Sequence, residues 1–130
     1  MIWADYLESR NKLNAIYRDQ TPSLELFRIK KVEVDMLNNL VKIVGDLSVY
    51  PKNPPQKWVA GKFNVAHVGF ELFNVKSFEF GHFESVKTVN ITVSQNNNLI
   101  QFETNSGLKC KAEVFDIYEI SGYQNAEDDR

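Results

Sequence analysis

Few residues in this sequence could do covalent or acid–base chemistry. Two histidines, His67 and His82, one cysteine, Cys110, and carboxylates such as Glu79 and Glu84 make up the inventory. A hydrolytic or transfer site needs a nucleophile, a base and a group that steadies developing charge, all in one cleft. His82 follows Gly81 in Phe78-Glu79-Phe80-Gly81-His82-Phe83-Glu84 and reads as an ordinary surface or turn histidine, with Glu79 and Glu84 able to do acid–base work only if a cleft brought them together. His67 falls at the polar phase between Ala66 and Val68, as a surface histidine would. Cys110 alternates with Leu108 and Ala112, so it faces the core, while Lys109 and Lys111 point to the opposite face. A nucleophilic thiol needs exposure and a positive neighbourhood, and this cysteine has neither. One cysteine rules out a multi-thiolate zinc site, and no histidine pair has the helical spacing of a zinc protease. The glycines stand at 45, 61, 69, 81, 107 and 122, too scattered for a phosphate-cradling loop. The expectation is a protein without catalytic residues, metal or cofactor.

Nine phenylalanines invite a different chemistry, the stacking of nucleic-acid bases on exposed rings. Such platforms lie in a basic field, yet Glu79 and Glu84 interrupt the rings, and 15 basic against 17 acidic residues leave a net charge of -2. Core packing and a protein-binding surface, where aromatics are enriched, explain them better. The lone cysteine suits a reducing compartment. The amino-terminal MIWADYLESRNK carries acidic residues where a signal peptide needs a basic region and an apolar run. No stretch approaches the roughly 20 apolar residues of a membrane span. A cytoplasmic location is expected.

These side chains must be positioned by a fold of mixed periodicity. Trp3, Tyr6, Leu7, Leu13, Ile16 and Tyr17 recur at three-and-four spacing, which predicts one helix from Ile2 to Tyr17, ended by Pro22. Beyond Ser23 the period becomes two. Leu24 to Met36 reads as a strand whose phase slips at Lys30 and Lys31, a bulge or a break. Asn38 and Asn39 turn it into a partner carrying Val41, Ile43, Leu47 and Val49. Ala66 to Leu72 and Val75 to Phe80 predict two more strands with a turn near Asn74. Runs through Val89 to Val93, Ile100 to Thr104 and Leu108 to Val114 follow as an antiparallel meander with short loops. The fold class is α+β, mostly β: an N-terminal helix packed on a curved antiparallel sheet or sandwich of about seven strands. Residues 1–123 form one domain of ordinary size, and 124–130, QNAEDDR, a charged disordered tail.

Between the first hairpin and the next strand lies YPKNPPQKW, Tyr50 to Trp58, with three of the four prolines. Its PxxP core would suit a ligand for an SH3-type groove, but a compact domain is the wrong place for one. A crossover fits better: proline ends sheet pairing, stiffens the chain, and Trp58 anchors it back on the core. A tryptophan near the start, Thr21-Pro22-Ser23-Leu24, Tyr50-Pro51, then Asn53-Pro54-Pro55-Gln56-Lys57-Trp58, Phe63-Asn64, Ile117, Ile120 and Ser121-Gly122-Tyr123 together resemble the immunity protein 50 family of bacterial polymorphic toxin systems. The resemblance spans residues 3 to 123. It implies a small cytoplasmic protein without enzymatic activity that binds the carboxy-terminal domain of a cognate toxin, as a monomer rather than an obligate oligomer; the charge balance and hydropathy above speak against nucleic-acid and membrane partners. Pro54, Pro55, Lys57, Trp58, Phe63, Asn64, Gly122 and Tyr123 are its structural motif. The resemblance assigns no toxin-facing residue.

Many toxins act on nucleic acid through basic clefts, so an inhibitor gains association rate and specificity from an acidic patch. The candidates are Glu71, Glu79, Glu84 and Glu103, with His82 among them. The alternative reading is a small-ligand-binding β-domain with an aromatic-lined pocket. A hydrolase built on His82 and a carboxylate comes third.

Overall fold

A computed structural model of the protein describes residues 1–81 and 88–126. Six strands, β1 (Arg28–Asp35), β2 (Leu40–Leu47), β3 (Val65–Glu79), β4 (Ile91–Asn96), β5 (Leu99–Thr104) and β6 (Lys109–Tyr123), form one antiparallel sheet ordered β1-β2-β3-β6-β5-β4. The sheet curls until its two outer strands meet: Phe27, just before β1, and Val89, just before β4, exchange both backbone hydrogen bonds at 2.8 Å. The α+β, mostly β reading and the curved antiparallel sheet are thereby observed. Six strands replace about seven because β3 does not turn at Asn74. That residue takes a left-handed φ of 53°, which asparagine tolerates, and bends the strand without ending it.

Inside the curl lies the core. Phe27, Phe70, Phe102 and Phe115 are all fully buried, with ring centroids of Phe70 and Phe115 5.4 Å apart and those of Phe70 and Phe102 5.8 Å apart. Alternate residues Val41, Ile43 and Leu47 of β2 and Ala66, Val68, Phe70 and Leu72 of β3 supply its walls. Cys110 is 1% exposed among them, as its alternation predicts, and burial pushes its thiol up to about 12. The slip at Lys30 is a bulge: β1 pairs Ile29 with Gly45 and then Lys31 with Val44.

The amino-terminal helix is two pieces. A 3-10 turn (Trp3–Tyr6) sets the Trp3 ring edge-on to Phe70, 5.9 Å between centroids, and helix α1 (Asn11–Tyr17) buries Leu13 and Tyr17. Between them Leu7 is extended and bridges Phe115, and the Glu8 amide donates to the Phe115 carbonyl at 2.8 Å. β5 pairs β6 only from Lys109 to Ala112, so the edge of β6 beyond it offers unpaired backbone groups. Satisfying them outweighs the helical periodicity. The crossover after β2 also holds a short helix, α2 (Gln56–Ala60), where none was expected; Pro55 supplies its N-cap and its carbonyl accepts the Trp58 amide at 2.9 Å.

Candidate interface and the buried polar cluster

The motif residues converge where β6 ends. Trp58 is buried, 5.9 Å from the Tyr50 ring and 6.3 Å from Phe63. Gly122 leaves room for both rings, since a Cβ there would sit 2.7 Å from Phe63 and 2.8 Å from Trp58. Asn64 donates its side-chain amide to the Asn125 carbonyl and accepts the Asn125 amide, both at 2.8 Å, which holds the chain beyond β6 against the start of β3. Pro54 and Pro55 are half-buried in the crossover, and Lys57 is exposed.

Tyr123 reaches the outer face of the sheet and joins a cluster that the sequence does not announce. Asp46 of β2 is fully buried, yet charged partners surround it. The Tyr123 hydroxyl donates to it, Lys30 Nζ lies 3.1 Å away, His67 Nδ1 3.2 Å and an Arg28 guanidinium nitrogen 3.7 Å. Lys30 also donates to the Tyr123 oxygen at 2.7 Å and sits 4.4 Å from that ring's centroid. Burial by itself would raise the Asp46 pKa, but hydrogen bonds from Tyr123, His67 and Lys30 and the Lys30 charge hold it below the ordinary carboxylate range. Lys30 is displaced upward: burial works against its charge, and Tyr123 and Asp46 outweigh it. His67 Nε2 lies 3.7 Å from Glu119, so this histidine stands between two carboxylates rather than alone at the surface. The bulge at Lys30 is legible in the sequence; the partners it gives that lysine on the outer face are not. Four strands are tied together here.

The rest of the convex face carries half-buried charged and aromatic residues, with Lys12, Ala15 and Ile16 of α1 beside Tyr118. Glu33 of β1 lies opposite Lys42 of β2, Lys42 opposite Glu71 of β3, and Glu71 opposite Asp116 of β6. On one side of this row stand Leu40, Phe73 and Val114, half-buried and outside the core cluster. On the other, a bulge in β6 inserts Tyr118 between Ile117 and Glu119. Its ring lies over Gly69, where a Cβ would meet it at 2.5 Å, so only glycine lets it lie flat. Lys42 Nζ is 4.9 Å from the centroid of that ring. Burial, then the charges of Glu119, Glu71 and Glu33, raise the Tyr118 pKa, the mark of an acidic neighbourhood.

Of the carboxylates expected to face a toxin, Glu71 lies in this row. Glu79 and Glu103 lie in another, on either side of Lys109, which is opposite both. His82 and Glu84 lie outside the described residues. A second exposed feature is apolar: the tip of the β1–β2 hairpin presents Met36 and Leu37, with Val34 and Phe80 also exposed. Among the described residues no group of three or more metal-ligating side chains converges, and no helix is long and apolar enough to cross a membrane.

No curated protein and no solved structure matches the chain. The model of immunity protein 50 matches residues 9–123, nearly the whole chain and including the proline crossover, its buried tryptophan and the Ser121-Gly122-Tyr123 ending. The chain therefore belongs to the immunity protein 50 family.

Proposed function

We propose that this protein binds the carboxy-terminal domain of a cognate bacterial toxin in the cytoplasm and neutralises it by covering its active site, as part of a polymorphic or contact-dependent toxin system. The match to the immunity protein 50 model over residues 9–123 carries this reading. The geometry supports it. The polar side chains that most resemble a catalytic set, Asp46, His67, Lys30 and Tyr123, satisfy one another in a cluster, as a stabilising network does. The aromatic residues that would line a ligand pocket pack on one another instead. What remains available is surface, and an open sheet face with unsatisfied charge suits a protein partner. The protein acts without turnover or cofactor, one copy per toxin domain. Residues 1–123 carry the function as one domain.

The test is co-expression with the carboxy-terminal domain encoded immediately upstream of this gene. A stable one-to-one complex, a dissociation constant on the order of nanomolar or below, and rescue of growth are expected. Growth arrest that this chain does not relieve, with no complex on gel filtration, would overturn the reading.

A further inference from the structure

We propose that the convex face around Tyr118, Glu71 and Asp116 is the docking surface for the toxin partner, and that it receives an arginine side chain from a basic patch on that partner. The inference rests on the immunity reading and adds to it a place and a chemistry. Glu71 and Asp116 are directly opposite one another on neighbouring strands. Like charges so placed repel, and a sheet does not keep such a pair for its own stability. Among the described residues neither makes an ion pair, and Asp116 accepts only the Ser9 amide, at 3.3 Å. Other acidic residues are answered: Glu33 by Lys31 at 3.3 Å, Glu113 by Lys76 at 3.2 Å, and Asp46 by the cluster described above. With Glu33 paired to Lys31, the row leaves Glu71 and Asp116 against Lys42.

Tyr118 makes the surplus specific. Its ring lies flat over Gly69 beside these carboxylates, and Lys42 is held 4.9 Å from the ring's centroid, a position that accepts a cation. A guanidinium suits it better than the lysine ammonium does. It is planar, more weakly hydrated, stacks on an aromatic face and presents a fork of donors to carboxylates. Leu40, Phe73 and Val114 alongside provide the apolar area that excludes water from such a contact. The row through Glu79, Lys109 and Glu103 places no two carboxylates directly opposite one another. Nucleic acid would meet the adjacent Glu71 and Asp116 here and is disfavoured by charge.

Two measurements test this. The isotope-labelled chain is titrated with hexa-arginine, and separately with hexa-lysine, while the amide resonances are followed. Hexa-arginine is expected to shift Gly69, Glu71 and Tyr118 first and to bind several-fold more tightly than hexa-lysine; shifts spread evenly or centred elsewhere would overturn the proposal. The toxin domain is then measured against the double variant Glu71→Lys/Asp116→Lys and the charge-matched control Glu8→Lys/Glu25→Lys, each confirmed as folded by circular dichroism. The first should weaken binding by about tenfold or more and the control by less than about twofold. If the double variant binds as tightly as the parent, the docking face is wrong while the immunity reading stands. If the parent binds no toxin, the immunity reading fails and this partner assignment with it, whatever the peptide does.

Discussion

The Tyr123 hydroxyl donates a hydrogen bond to the buried carboxylate of Asp46, joining β6 to β2 over the intervening β3. Asp46 is fully buried, so losing a partner leaves a charge that water cannot reach. Tyr123→Phe should cost about 1.5–3 kcal/mol, the range for a hydrogen bond to a charged group. Asp46→Asn should cost on the order of 3 kcal/mol, as removing one member of a buried pair does. Lys30, 40% exposed, can turn to solvent, and Lys30→Met should be milder. Urea unfolding followed by circular dichroism measures all three. Equal midpoints for parent and Tyr123→Phe would show that the contact contributes nothing.

The same cluster sets the pH response. Asp46 has a folded pKa below its ordinary 3.8, so its contribution is complete above that value and is lost as pH falls through the folded one. Lys30 is displaced upward from 10.5, so its contribution is complete below that value and is lost as pH rises past the folded one. Between about pH 6 and pH 3 the parent should therefore lose more stability than Asp46→Asn, which has no carboxyl to protonate. Thermal unfolding of both chains across that window gives the comparison, and parallel curves would remove Asp46 from the acid response.

Local pattern carried much of the fold, and long-range geometry carried the rest. The bulge at Lys30, the turn at Asn38 and Asn39, the meander of β4 to β6 and the inward Cys110 all follow from period and turn chemistry within a few residues. Three features depend on partners far along the chain. Leu7 leaves the helix because the edge of β6 needs backbone partners, and Phe115, which it bridges, is distant in sequence. Asn74 is a turn residue by type, but pairing of Phe73 and Val75 with β6 keeps it within a strand. Asp46 stands at the solvent phase of β2, and only Tyr123, 77 positions away, and the bulged Lys30 explain its burial. In the aromatic stretch from Phe78, Phe80 is exposed as the sequence suggests, whereas Tyr118 takes its half-buried place on the outer face from a bulge and from Gly69 opposite.

Gly122 is held to its identity by packing. Its absent side chain is the space occupied by Trp58 and Phe63, with a Cβ 2.8 and 2.7 Å from them. Gly122→Ala should displace both rings and cost about 1–3 kcal/mol, as overpacking does. A red-shifted tryptophan emission and a lower unfolding midpoint are expected. An alanine variant with unchanged emission would mean that the crossover moves freely.

Cys110 offers a probe of the whole core. With 1% exposure and a thiol pushed up to about 12 by burial, it presents no thiolate to a reagent near neutral pH. A disulfide reagent should label it only as fast as the core opens, and at once in denaturant. Immediate labelling of the native protein would place the cysteine in a mobile region.

Association kinetics separate steering from docking in the toxin complex. Glu79 and Glu103 flank Lys109, so their charge is partly answered, whereas Glu71 and Asp116 lie directly opposite one another, with Lys42 across from Glu71 and no ion pair to either carboxylate among the described residues. If the partner is basic, all four speed encounter, but only the second pair is desolvated in the complex. Glu79→Lys/Glu103→Lys should therefore slow association by roughly threefold to tenfold and leave dissociation nearly unchanged. Glu71→Lys/Asp116→Lys should raise the dissociation rate as well, because a lysine there is buried against the partner's cation. Rates measured by surface plasmon resonance at low and high salt resolve the two. Raising ionic strength should abolish the difference in association for the first variant and leave the fast dissociation of the second. If both variants alter association alone, Tyr118 and its carboxylates belong to the rim of the interface and not to its centre.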